Sequence, residues 1–160
     1  MTTAYIALGS NLGDARGQVL AAFDALDRLP HTRLTGRSPL YLTPPWGVLE
    51  QPSFINAVAC LDTTLAPHAL LDALLATERA AGRVRDGERW GPRTLDLDIL
   101  HMDGTTVSDE RLALPHPRIH ERAFVLLPLN DLAPDLLLPD QGRVSDLLAS
   151  LDVTGLERLP

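Results

Sequence analysis

The chain has 160 residues, of which 45% are hydrophobic and 22% charged, and its formal net charge is −7. That length suits one folded domain spanning 1–160, able to bury roughly 70% of its unfolded surface, with no apolar run near the ~20 residues a bilayer span needs. The acidic balance argues against nucleic acid and membrane surfaces as partners, and because every basic residue is arginine, a Walker-A lysine, a Schiff base and pyridoxal chemistry are excluded.

In chain order, Ala4–Leu8 reads as a short strand ended by the turn-like GSNLGD. Asp14 suits the N-cap of a helix whose apolar positions Val19, Ala22, Phe23, Leu26 and Leu29 keep a 3–4 spacing up to Pro30. Residues 33–42 and 54–63 read as strands, the first made irregular by Gly36 and Pro39. Between them TPPWGVLEQPS is too rich in proline and glycine for either regular element and reads as an ordered loop. Cys60, the single cysteine, lies in the apolar run INAVACL and is expected to be a buried thiol. With an N-terminus that has neither a basic start nor a long apolar core, a cytoplasmic protein is expected.

Pro67 suits the first turn of a second helix with an apolar stripe at Leu70, Leu71, Leu74 and Leu75, and Gly82 suits its C-terminal cap. The polar loop RVRDGERWGPR then leads into the strand TLDLDILHM. The order βαββαβ is that of an α+β, ferredoxin-like sandwich. A short C-terminal extension follows, with LPHPRIHERAFVLLPL as a loop entering a helix and SDLLASL as a capped turn or two.

The chemistry concentrates around that last strand. Strand alternation puts Leu95, Leu97 and Ile99 on one face and Asp96 and Asp98 on the other, the two acids about 6–7 Å apart. Carboxylates held that close repel each other unless a cation joins them, and hard ions such as Mg²⁺ accept such ligands alongside water and phosphate. A solvated strand face is the alternative without function. Arg83, Arg85, Arg89 and Arg93 fall just upstream on a glycine-containing loop. Guanidinium forks bind phosphate; surface ion pairs with Glu78, Asp86 and Glu88 are the competing explanation. Phe54 with Asn56, and Phe124 near His116, His120 and Arg122, offer aromatic faces and an edge-reading amide for a flat heterocycle, or else are core and turn residues.

Six segments together resemble the 6-hydroxymethyl-7,8-dihydropterin pyrophosphokinase family: YIALGSNLGD at 5–14, Y-x-T-P-P at 41–45, Q-P-x-F-x-N-A at 51–57, E-x-x-x-G-R-x-R at 78–85, R-W-G-P-R-x-L-D-L-D-I-L at 89–100 and L-P-H-P-R-x-x-E-R-x-F-V-L-x-P-L at 114–129. The resemblance implies transfer of pyrophosphate from ATP, the co-substrate, to the pterin hydroxymethyl group in folate biosynthesis, with AMP released. It implies two Mg²⁺ ions held by Asp96 and Asp98, with Arg83 and Arg93 engaging the triphosphate. Glu78, Arg85, Trp90, Ile99, His116 and Arg122 correspond to ATP contacts, and Thr43, Pro44, Phe54, Asn56 and Phe124 to the pterin pocket. Leu75 stands where a glutamine is frequent, and Trp46 where a smaller apolar residue is. The expected partners are these small molecules, acting on a monomer, and the loop from Arg83 to Trp90 is expected to order only when substrates bind. Without the pterin pocket the same acids would suit a nucleotidyl transferase or cyclase, or a nucleotide-sensing module.

Overall fold

The computed structural model describes residues 1–11, 13–43, 53–82 and 95–160. Its elements in chain order begin with β1 (Thr2–Ser10), α1 (Ala15–Asp27), β2 (Thr32–Arg37), β3 (Tyr41–Thr43), β4 (Phe54–Thr63), α2 (Pro67–Ala80) and β5 (Asp96–Met102). The extension holds a small hairpin, β6 (Val107–Ser108) with β7 (Ala113–Leu114), then α3 (Ala123–Leu132), a hairpin of β8 (Leu137–Leu138) and β9 (Gly142–Arg143), α4 (Val144–Ala149) and β10 (Glu157–Arg158).

β1 lies at the centre of an antiparallel sheet, with β4 on one side and β5 on the other. The far edge of β4 is shared: β2 pairs with its C-terminal half, β3 with its first residues, and β10 lies outside β3. Counting β2 and β3 as one interrupted strand, the arrangement is the ferredoxin-like α+β fold expected from the element order. The interruption falls at residues 38–40, where Pro39 has no N–H to give a ladder; the expected strand over 33–42 is therefore two shorter ones.

Strand alternation gives the sheet two apolar faces. Ala4, Ile6, Leu8, Leu97 and Ile99 pack against the predicted stripes of α1 (Val19, Ala22, Phe23, Leu26) and α2 (Leu70, Leu74). α1 is capped as expected, with Asp14 Oδ1 accepting from the Gly17 N–H at 3.1 Å, and Gly82 follows α2 at φ +93°. On the other face Val58 and Leu100 pack against Val125, Leu126 and Leu129 of α3. Leu100 reaches that second layer because β5 is bulged: Ile6 pairs with Ile99 and Tyr5 with His101, leaving Leu100 as the extra residue.

Cys60 is half-buried rather than buried. It is registered opposite Gly36, which has no side chain to cover it. Among the described residues, no helix is long and apolar enough to cross a membrane.

Candidate active site on the second sheet face

Three of the predicted site residues fall into two neighbouring cross-strand rows of one sheet face. Asn56 of β4 pairs with Gly9 of β1, and Gly9 pairs with Asp96 of β5; one step along, Val58, Ala7 and Asp98 form the next row. With Leu97 and Ile99 in the first core, Asp96 and Asp98 are half-buried on the opposite face, as alternation predicts. Asn56 and Asp96 are two strand spacings apart, roughly 10 Å. Gly9 forms the floor between them. A Cβ there would sit 2.9 Å from Asn56 Oδ1, so glycine is what lets the amide lie flat against the central strand.

On the outer side, β3 brings Thr43 opposite Phe54 and Tyr41 opposite Asn56. Asn56 Nδ2 donates to Thr43 Oγ1 at 2.9 Å, fixing the amide plane, and Thr43 itself is buried. Phe54 and Phe124 are both half-buried, Phe124 in the first turn of α3.

The acids are held from behind. The buried positions of α2 are Leu70, Leu74 and Glu78, a stripe spaced by four, so its last turn carries a carboxylate into the interior. Glu78 is 2% exposed. Its Oε2 accepts from the backbone N–H of Leu97, the residue between the two aspartates, at 2.7 Å. Ile99 is committed to the core through its side chain.

The second layer supplies His116 and Arg122. The β5 bulge is used here: the Leu100 carbonyl accepts from the His116 N–H at 2.8 Å, tying the 115–118 turn to the strand that bears the acids. His116 Nδ1 accepts from the Arg118 N–H at 3.1 Å, so a neutral ring carries its proton on Nε2. Burial, then the positive charges of Arg122 and Arg118, bring its pKa down to about 4. Arg122 is the N-cap residue of α3 but makes no side-chain cap bond. Arginine has no acceptor with which to cap a helix; its guanidinium instead lies 5.9 Å above the centre of the Phe124 ring.

Thus Thr43, Phe54, Asn56, Asp96 and Asp98 share one sheet face and His116, Arg122 and Phe124 the layer over it, while Glu78 and the Ile99 side chain lie behind the acids on the side of the first core. Pro44, Trp46, Arg83, Arg85, Arg89, Trp90 and Arg93, with the expected ordering of the 83–90 loop, lie outside the described residues. Sequence reasoning missed three supports. Ser10 and Asn11 are buried at the end of β1, beside the Gly9–Asp96 pair; the only hint was a polar GSN after an apolar strand. Gln141, on the turn between β8 and β9, accepts from the His120 N–H and donates from Nε2 to the His116 carbonyl at 2.8 Å. Tyr41 donates to Asp131 across the sheet-to-α3 gap.

A family described as 7,8-dihydro-6-hydroxymethylpterin-pyrophosphokinase matches residues 5–134. A Pseudomonas aeruginosa protein named 2-amino-4-hydroxy-6-hydroxymethyldihydropteridine pyrophosphokinase is 57% identical over 156 residues, covering 98% of this chain and 96% of its own. A Methylorubrum extorquens protein of the same name is 49% identical over 159 residues, covering 99% of each. Among solved structures, Plasmodium falciparum HPPK-DHPS A437G/K540E with pterin and p-hydroxybenzoate superimposes with a TM-score of 0.76 over 98% of this chain, at 14% identity. That likeness shows the fold, and this chain spans 47% of the fused neighbour. The chain belongs to the 7,8-dihydro-6-hydroxymethylpterin-pyrophosphokinase family, and is an ATP-dependent diphosphotransferase.

Proposed function

We propose that this chain moves the β,γ-pyrophosphoryl group of ATP onto the hydroxymethyl oxygen of 6-hydroxymethyl-7,8-dihydropterin, with two Mg²⁺ ions held by Asp96 and Asp98. The bond formed is between that oxygen, whose proton passes to water, and the β-phosphorus; the bond broken joins the β-phosphorus to the oxygen that bridges it to the α-phosphorus, and AMP leaves with that oxygen. The supporting observation is the row Asn56–Gly9–Asp96. An amide flanked by Phe54 sits about two strand spacings from the acid pair, the span of a fused two-ring heterocycle with a one-carbon arm.

The donor set fits magnesium. Asp96 and Asp98 offer hard oxygens on one face, two carboxylate ligands rather than a full coordination set. That suits an ion which keeps waters and takes its remaining ligands from substrate phosphates. Bound there, the ions would neutralise phosphate charge and acidify the attacking hydroxyl.

The chain's own residues do the positioning. Phe54 and Phe124 stack on the pterin faces while Asn56 reads its edge. Arg122, lying over Phe124, puts a fixed positive charge beside the pocket for the nucleotide. His116 presents Nε2–H as a neutral donor to it, and Glu78 holds β5 so that both acids face the phosphates. Arg83 and Arg93 are assigned to the triphosphate, with Arg85 and Trp90 beside them. Catalysis here is orientation plus charge stabilisation of an in-line displacement.

An AMP-release assay with the dihydropterin and Mg-ATP tests this. Asp96→Asn and Asp98→Asn should each abolish pterin-dependent AMP, and Phe54→Ala should weaken pterin binding by about 1–3 kcal/mol. At saturating Mg-ATP the rate should rise further with free Mg²⁺; dependence on only the ATP-bound ion would reduce the metal count to one. AMP release that ignores the pterin would overturn the substrate.

A further inference from the structure

Tyr41 opens the Y-x-T-P-P segment, yet no role in substrate binding falls to it. It is 4% exposed. On β3 it is two residues before Thr43, so both side chains take the face toward α3, and it is registered opposite Asn56. Leu42, between them, turns the other way and packs with the first core. The Tyr41 hydroxyl donates to Asp131 Oδ2. Burial, then the bond to Asp131 and the charge of that carboxylate, push the Tyr41 pKa up to about 12, with Arg158 of β10 acting in the opposite direction. The phenol therefore remains the donor at any working pH.

Asp131 follows Phe124 by seven residues on α3, which is two helical turns, so the two share one stripe about 10 Å apart along the axis. The same helix thus carries one plate of the pterin pocket near its start and the acceptor for Tyr41 near its end. The other plate, Phe54, pairs with Thr43. β3 has only three residues, and its outer edge is covered by the two residues of β10, where Arg158 pairs with Tyr41 itself. So short a ladder supplies few backbone bonds, and a side-chain tie to α3 weighs more in setting where β3 sits.

We propose that the Tyr41–Asp131 pair is a positioning element of the pterin pocket, which fixes the distance between the helix-borne Phe124 and the strand-borne Phe54, Thr43 and Asn56. The inference rests on the pterin reading above. Neither residue touches the heterocycle; both act through the spacing of the two aromatic plates. A gap too wide by a fraction of an ångström loses stacking on one face, while the acids on β5 and His116, whose N–H is tied to the Leu100 carbonyl, keep their places.

The test measures dissociation constants for the dihydropterin, with α,β-methylene-ATP and Mg²⁺ saturating, and separately for the nucleotide, in Tyr41→Phe, Asp131→Ala, the double variant and Asp131→Asn. Tyr41→Phe and Asp131→Ala should each weaken pterin binding about three- to tenfold, as expected from losing one hydrogen bond to a charged group. The double variant should be no worse than either single, since one bond is lost in all three. Asp131→Asn, whose amide oxygen still accepts, should retain pterin affinity, and nucleotide affinity should stay within about twofold throughout. Unchanged pterin affinity in Tyr41→Phe, a double variant losing the product of the singles, or an equal loss of nucleotide affinity would each overturn the proposal. Asn56→Ala separates the two levels: loss there with none in Tyr41→Phe rejects the positioning pair alone, whereas no pterin binding by the native chain rejects the substrate and this inference with it.

Discussion

Gly9 and His116 show how single residues set the chemistry of the site. Gly9 has no special backbone angle to explain it; the close approach of Asn56 Oδ1, 2.9 Å from where a Cβ would stand, is the constraint. Gly9→Ala should therefore turn the amide out of the plane fixed by Thr43 and weaken pterin binding about tenfold or more, with nucleotide binding retained. Calorimetry with each ligand in turn checks this, and unchanged pterin affinity would mean that the amide has room to shift. His116 has its pKa brought down to about 4 from 6.5. The unfolded chain takes up that proton first as pH falls, so the contribution to stability is complete above about pH 6.5 and is lost towards pH 4. For a ring only partly buried, about 1–2 kcal/mol is expected after solvent screening. Urea unfolding at pH 7 and pH 4.5 should show the native chain losing that much more than His116→Asn, whose Oδ1 can still accept from the Arg118 N–H. Parallel losses in the two proteins would refute the assignment.

At the scale of elements, α1, α2 and the first half of β5 were legible because each follows one period: apolar residues at 3–4 spacing in the helices, and alternation in LDLDI. The same alternation located the acid pair. Three features were not legible, each for a physical reason. The break between β2 and β3 depends on which stretch of the far edge of β4 each half takes, and Gly36 with Pro39 announce irregularity without saying where pairing resumes. The bulge at Leu100 breaks the alternation only after Asp98, and its use, to capture the His116 N–H, involves a residue far along the chain. Tyr41–Asp131 and Gln141–His116 likewise join positions with no local signal between them. Glu78 was expected at the site only through the resemblance; its place inside the protein follows from the four-residue spacing Leu70, Leu74, Glu78. Removing its carboxylate strands the buried Leu97 N–H, so Glu78→Ala should lower stability by about 2–3 kcal/mol, and Glu78→Gln, which keeps an acceptor, by less. Denaturant midpoints decide it; equal losses for the two variants would show that charge rather than the hydrogen bond matters.

Across the whole molecule the two faces of one sheet divide the work. The face covered by α1 and α2 is apolar and holds the strands in register; the face under α3 exchanges apolar side chains for an amide, two acids and the His116–Arg122 segment. A chain of net charge −7 groups two of its carboxylates half-buried on that face, where the proposed reading seats the cation. Ligand binding should therefore be read out in global stability. At about 100 times its dissociation constant, Mg-ATP should stabilise the native state by about 2.7 kcal/mol, which for a protein of this size raises the unfolding midpoint by about 5–10 °C. Asp96→Asn and Asp98→Asn should each lose more than half of that rise at the same ligand concentration, while ATP with excess chelator should give the native chain no larger a rise than it gives the variants. Differential scanning fluorimetry across a magnesium titration measures all four cases. Equal rises in native and variant proteins would place the nucleotide's main support elsewhere and leave the two aspartates as a solvated strand face.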